Sequence, residues 1–190
     1  MQENDYNKEV EENLIKLKSG AILHSSDAMN DPNFALTIIV ICVHNDEGSF
    51  GLVINRPSHM PISEIFDAPP ELRTTKRTIF IGGPVEPEGL HLIQLAPQGT
   101  EGSLAIAENV YLGGEWDSLT QILATDPKTT RLFLGYSGWG PGQLVDEIEN
   151  GDWEVYTVDL KKFMEHWHES RFNDIVQIRT VIQQFTIKDH

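Results

Sequence analysis

Hydrophobic and polar positions in this chain fall into short periodic blocks separated by glycine, proline and asparagine. The strongest block, Thr37-Ile-Ile-Val-Ile-Cys-Val43, is rich in β-branched residues and apolar on both faces. It predicts a central, buried strand. Gly51-Leu-Val-Ile-Asn55 answers it, and Asn45-Asp-Glu-Gly48 supplies turn chemistry between them. The pair predicts a hairpin. Shorter strands are expected at 21–24, 78–81, 110–112 and 153–158. Residues 90–95 alternate apolar and polar, which predicts a half-exposed strand.

Helical spacing marks other segments. Tyr6, Val10, Leu14 and Leu17 share one face of a segment over 1–19, which Gly20 can terminate. A short helix is expected at 61–66, broken by Ala68-Pro69-Pro70. Trp116, Leu119, Ile122 and Leu123 mark a further helix, with Asp117 as N-cap and Asp126-Pro127 as its stop. Leu160, Phe163, Met164 and Trp167 space another helix, and Ile175, Ile178, Ile182 and Phe185 a C-terminal one.

Three apolar runs lead into glycine: 79–83, 110–114 and 132–135. They predict strand ends that crowd where a Cβ would clash. The third continues as Gly135-Tyr-Ser-Gly-Trp-Gly-Pro-Gly-Gln-Leu144 and reads as strand, glycine-rich turn, helix, closed by Asn150-Gly151. Mixed strand order with few clean β-α-β units predicts a single α/β (α+β) domain with a mixed β-sheet and flanking helices. Its expected divisions are an N-terminal helical segment over 1–19, the α/β domain over 20–158, and C-terminal helices packed on it over 159–190.

Composition narrows the function classes. With 190 residues, 39% of them hydrophobic, the chain can bury a real core. Its longest apolar run is far short of the roughly 20 residues needed to span a bilayer, so no membrane partner is expected. The polar, acidic start lacks the basic and apolar stretches of a signal peptide. The single cysteine, Cys42, excludes an intrachain disulfide. Both features make the cytoplasm the expected compartment. The net charge of −15, from 14 basic and 29 acidic residues, argues against direct nucleic-acid binding.

Four segments together resemble the AlgH/YqgE family of small bacterial proteins. They are Asp31-Pro-Asn-Phe34, Gly51-Leu-Val-Ile-Asn-Arg-Pro57, Gly82-Gly-Pro-Val85, and Gly135 to Leu144 with Glu147-Ile148 beyond. In order and spacing they cover most of residues 21–156. The resemblance implies a sheet curved into a partial barrel, in a bacterial cytoplasmic protein. One branch of the family has been called a transcriptional regulator of alginate synthesis, with no established enzymatic role. This chain departs in carrying Ser137 where the family usually has alanine, and in lacking a proline within 21–26.

Candidate chemistry is sparse. Gly135-Tyr-Ser137-Gly-Trp139 misses the nucleophile elbow G-x-S-x-G at its last position, and nothing places His24, His44 or His91 near that serine. Gly138 to Gly142 could form an anion nest, but it lacks the P-loop lysine and is followed by Asp146, Glu147 and Glu149. Close packing against Gly82-Gly83, with Trp139 as a lid, explains the same glycines. Arg56 could fork onto a carboxylate or phosphate, or pair with a fixed acid. Asn55 suits a turn. His166 and His168, two apart on a helix, diverge and do not suit a metal. Cys42, inside an apolar strand, is expected to be inert. No cofactor or metal is expected.

The resemblance, the lack of an assembled catalytic constellation and the acidic surface together favour a non-enzymatic protein that binds a protein or small-molecule partner, with the regulatory effect that the resemblance implies. The expected binding surface is Asn55, Arg56, Gly82, Gly83, Trp139, Gly140 and Gln143, with Trp139 as the outward contact. The alternative is an enzyme acting on a small anionic substrate through Arg56 and the Gly138–Gly142 turn.

Overall fold

A computed structural model of the chain describes residues 3–64, 70, 77–115, 117–118, 121, 128–166 and 175–187. The β-branched run becomes β2 (Ile38–Asn45), which pairs antiparallel on one side with β1 (Ile22–Ser25) and on the other with β3 (Gly48–Val53). Asp46 and Glu47 alone connect β2 to β3, and the Asn45 side chain accepts a bond from the Glu47 amide at 2.9 Å. Such a two-residue link sets the strand register. Ile38, Ile39, Val40, Ile41 and Cys42 are all fully buried, as expected of a strand covered on both faces.

Among the described residues, nine strands form one sheet in the order β6-β7-β5-β8-β3-β2-β1-β9, with β4 also paired to β8. The others are β4 (Ile79–Ile81), β5 (Val85–Leu95), β6 (Ser103–Ala107), β7 (Val110–Gly113), β8 (Thr130–Trp139) and β9 (Trp153–Tyr156). The β4–β8 pair is parallel and the other ladders are antiparallel, so the sheet is mixed. It curls without closing. Edge strand β6 comes round to the chain just before β1, where Ile106 O lies 2.7 Å from the place a Gly20 Cβ would occupy.

Alternation sorts the core to the two sides of this curved sheet. Ile22, Ile38, Val40, Leu52 and Phe133 face one side. There α3 (Leu160–His166) and α4 (Ile175–Phe185) cover them with Leu160, Phe163, Met164, Ile178 and Ile182. Leu23, Ile39, Ile41 and Val155 face the other side, where α1 (Glu3–Lys16), the turn after it and α2 (Gln143–Glu149) contribute Leu14, Leu17, Leu144 and Ile148. α1 is docked. The Tyr6 hydroxyl donates to Glu149 O at 2.6 Å, and Asn13 accepts from the Val155 amide at 3.1 Å.

Four expectations change. The glycine-rich stretch after Leu134 is not a turn: β8 runs on through Gly135 to Trp139, and the turn is confined to Gly140-Pro141-Gly142. The strand at 90–95 is not half exposed. Gln94 is buried, with its amide donating to Gly113 O (2.6 Å) and Thr100 Oγ1 (2.7 Å) and accepting from the Thr100 amide (3.2 Å), which satisfies a polar group inside. Strand β6 was not foreseen. The helix expected at 61–66 is a three-residue 3-10 turn at Ile62–Glu64, with 65–69 outside the described residues. Trp116, Leu119, Ile122, Leu123 and Trp167 also fall outside them.

Candidate functional site

Strand β8 changes partners halfway along one edge. Its first half pairs with β4 at Leu132, Phe133 and Leu134, and its second half with β3 at Ser137, Gly138 and Trp139. Gly82 and Gly83, at the end of β4, fill the junction. A Cβ on Gly83 would stand 2.2 Å from the Tyr136 carbonyl carbon, and one on Gly82 would stand 2.4 Å from Gly135 O. No side chain fits there, so these glycines are required by contact. Ser137 is fully buried and its hydroxyl donates to Gly82 O at 3.1 Å. It has no access to a substrate, and the elbow reading ends there.

Asn55 and Arg56 lie beside this junction, since the Val53 amide donates to Gly82 O (2.9 Å) and the Ile81 amide to Arg56 O (2.8 Å). Their side chains serve the loop at 31–37. Asn55 donates to Leu36 O (2.8 Å) and accepts from the Ile38 amide (2.9 Å). The Arg56 guanidinium donates to the carbonyls of Pro32, Asn33 and Ala35. Burial lowers its pKa, opposed by the charge of Asp31. Arg56 thus neither forks onto a fixed carboxylate nor stands free for an anion. It caps a loop.

That loop presents Phe34 to two indoles. Its ring stacks on Trp139 at 6.3 Å and meets Trp153 edge-on at 5.7 Å. Trp139 is only 6% exposed, which corrects its reading as the outward contact. Its Nε1 donates to Glu147 Oε2 at 2.8 Å, and Gln143 donates to Glu147 Oε1 at 2.9 Å while accepting from the Gly140 amide at 3.0 Å. Of the expected anion nest, the Gly140 amide is taken by Gln143. The seven residues expected to form a binding surface therefore meet in two adjoining knots, in which the side chains of Asn55, Arg56, Trp139 and Gln143 bond partners within the protein.

An open concavity lies next to these knots, at the end of the β2–β3 hairpin. It is a groove of about 510 Å³, within the size range of small-ligand pockets. Its floor is the exposed Gly138, and its walls are Val43, Phe50, Val85 and Tyr136, with Asn45 and Glu47 at the rim. Phe50 and Tyr136 stack at 4.7 Å, and His91 meets both edge-on at 5.2 and 5.6 Å. Burial lowers the His91 pKa against the opposing charge of Glu86. Ser49, also on the lining, has its hydroxyl 2.8 Å from His44 Nδ1 across the hairpin. A serine–histidine nucleophile needs a third group to orient the imidazole, and among the described residues none bonds the other nitrogen of His44. Sequence reasoning missed the groove. The available signal was Tyr136 and Gly138 at i and i+2 on one strand face, where the missing side chain lets the aromatic ring lean across, with its Cε2 2.9 Å from the place a Gly138 Cβ would occupy.

Cys42 is buried and its thiol pKa is pushed well up, which keeps it unreactive. Among the described residues no group of His, Cys, Asp and Glu could hold a metal. His166 packs on Phe185 at 5.2 Å, and His168 lies outside the described residues. Among the described residues, no helix is long and apolar enough to cross a membrane.

Comparison with known proteins agrees with this architecture. The AlgH-like family model (DUF179) matches residues 22–181. A UPF0301 protein of Chlorobium limicola is 35% identical over 152 residues, covering 78% of this chain and 79% of that one. One from Streptomyces coelicolor is 32% identical, covering 72% and 74%. The solution structure of the AlgH protein from Pseudomonas aeruginosa superposes with a TM-score of 0.62 at 32% identity, covering 74% of this chain and 77% of that one. Protein DIP2367 from Corynebacterium diphtheriae, at 21% identity and a TM-score of 0.63 over 81% and 93%, shares the fold. This chain belongs to the AlgH-like, UPF0301 family.

Proposed function

We propose that this protein is a cytoplasmic binding protein without catalytic activity, whose contact face is the groove beside Gly138. Its regulatory effect, including any on transcription, is exerted through a bound partner and not through DNA. The observation that carries this reading is the exposed Gly138 beside the stacked rings of Phe50 and Tyr136. Apolar walls with a few polar atoms at the rim suit recognition. The charge of −15 disfavours phosphate backbones. The alternative, an enzyme for small anions, loses its main support because three of the five Arg56 donors already bond carbonyls.

Site-specific photo-crosslinking tests the proposal. A crosslinker at Glu47, on the groove rim, is expected to trap a discrete adduct from native lysate. The same group at Lys8, on exposed α1, is expected to trap none. Equal trapping at both positions, or none at Glu47, overturns the assignment of the face.

A further inference from the structure

The groove is also where β8 runs out of neighbours. On one side it pairs with β3 through Ser49↔Trp139, Phe50↔Gly138 and Gly51↔Ser137. On the other side its pairing with β5 stops at Val85↔Tyr136. Past Tyr136, β8 is flanked on one side only among the described residues. Of the three residues past that point, Ser137 and Trp139 are buried and Gly138 is exposed, with no side chain to hold another backbone away. An unpaired strand edge is a template for a further extended chain.

The surroundings of that edge select what could pair with it. Phe50 and Tyr136 offer an apolar bed for side chains that point to one face of an added strand. Glu47 is on the rim, with Asp46 next to it at the hairpin tip; Glu86 and Glu88 follow the lining residue Val85 in the chain, Glu86 close enough for its charge to act on His91, and all four are exposed. No Lys or Arg is among the described residues that line the groove. Clustered carboxylates around a low-dielectric bed attract cations and repel anions.

We propose that the groove takes an extended, cationic polypeptide segment as an added strand along β8 beyond Tyr136. Its alternate apolar side chains lie on Phe50 and Tyr136, and its Lys or Arg residues face Glu47 and Glu86. Backbone bonds to the open edge supply affinity, and the bed and rim supply selectivity. This inference rests on the groove being the contact face.

A phage-displayed library of random heptapeptides, selected on the full chain, tests it. Enriched sequences are expected to carry apolar residues at alternating positions and at least one Lys or Arg. A synthetic peptide of the enriched pattern is expected to shift the Gly138 and Val85 amide resonances. Two variants act separately. Glu47→Lys, at an exposed position, is expected to weaken binding about tenfold at low ionic strength, with the loss shrinking as salt is added. Gly138→Val fills the floor and is expected to abolish binding. Failure to enrich any sequence, enrichment without a basic bias, or binding indifferent to both variants overturns the inference. If a Glu47 crosslink still traps a partner in that event, the groove stands as the contact face and only the peptide chemistry falls.

Discussion

Trp139 and Trp153 share one acceptor: both indole N–H groups donate to Glu147 Oε2 at 2.8 Å, and their rings meet edge-on at 6.1 Å. Trp139 ends β8, Trp153 begins β9, and Glu147 lies on the helix between them. Both rings are buried, so their N–H groups need a partner inside the protein. Phe34 packs on the same pair and is itself held by the loop that Asn55 and Arg56 brace. The segments that carry the family resemblance are thus parts of one mechanical unit.

Removing that acceptor therefore destabilises the fold more than a surface carboxylate would. Glu147→Ala is expected to cost about 3 kcal/mol, because two buried donors lose their partner together. The urea midpoint falls with an unchanged slope, and tryptophan emission moves to longer wavelength. A loss under about 1 kcal/mol, the scale of an ordinary exposed ion pair, contradicts the shared-acceptor role.

The glycines of this region separate into two kinds. Gly83→Ala places a methyl 2.2 Å from backbone at a φ of +155° and is expected to prevent native folding. Gly142 has a φ of +73° with nothing within 4 Å of its Cβ position. There alanine meets only the left-handed backbone penalty, on the order of 1 kcal/mol. Comparing soluble yield and thermal midpoints of the two variants checks the distinction. Similar behaviour of both rejects the account of the β4–β8 junction as a steric crossing.

Much of the fold was legible because period and punctuation agree in it. The β2–β3 hairpin, α1 and the C-terminal helix follow from β-branched alternation, 3.6 spacing and glycine or asparagine turns. The crowding of Gly82 and Gly83 was also readable from strands ending in glycine. The course of β8 was not. Five residues containing two glycines read locally as a turn, and only pairing with β3 and β5 from either side makes them a strand. The same tertiary effect hid Gln94, whose buried partners lie at Thr100 and Gly113. Asn55, Arg56 and Trp139 were singled out with reason, but their bonding partners at 31–38 and at Glu147 turn them inward. The groove escaped notice because its walls come from four strands and its floor is a glycine.

Arg56 tests whether its charge or its shape matters. Its fork reaches three carbonyls, which an ammonium cannot match in geometry. Arg56→Lys is expected to lose about 1–2 kcal/mol of stability, the scale of hydrogen bonds to a charged group. Amide exchange over 31–37 rises with it. Inorganic phosphate is expected to stabilise the wild type and the variant alike, by little or nothing. Phosphate stabilisation that depends on Arg56 restores the anion-substrate reading and defeats the loop-cap role.

Acid stability is governed in part by Glu154 on β9. Partial burial raises its pKa, but contacts with His24 and Arg179, the Tyr156 hydroxyl at 2.6 Å and the charge of Arg179 together lower it from 4.5 to about 2. His24 Nδ1 stands 3.5 Å from the carboxylate, and Arg179 ties it to α4 and also reaches Asp27 at 3.7 Å. A carboxylate whose pKa is depressed on folding contributes stability above its unfolded value. That contribution falls away as pH drops from about 4.5 toward 2. Glu154→Gln removes the titration while keeping a polar side chain of similar size. Urea midpoints taken from pH 7 to pH 2.5 are expected to show the variant weaker at neutral pH and less steeply weakened by acid. The two curves then converge at the acid end. Parallel curves across the whole range show that the carboxylate does not couple α4 to the sheet edge in this way.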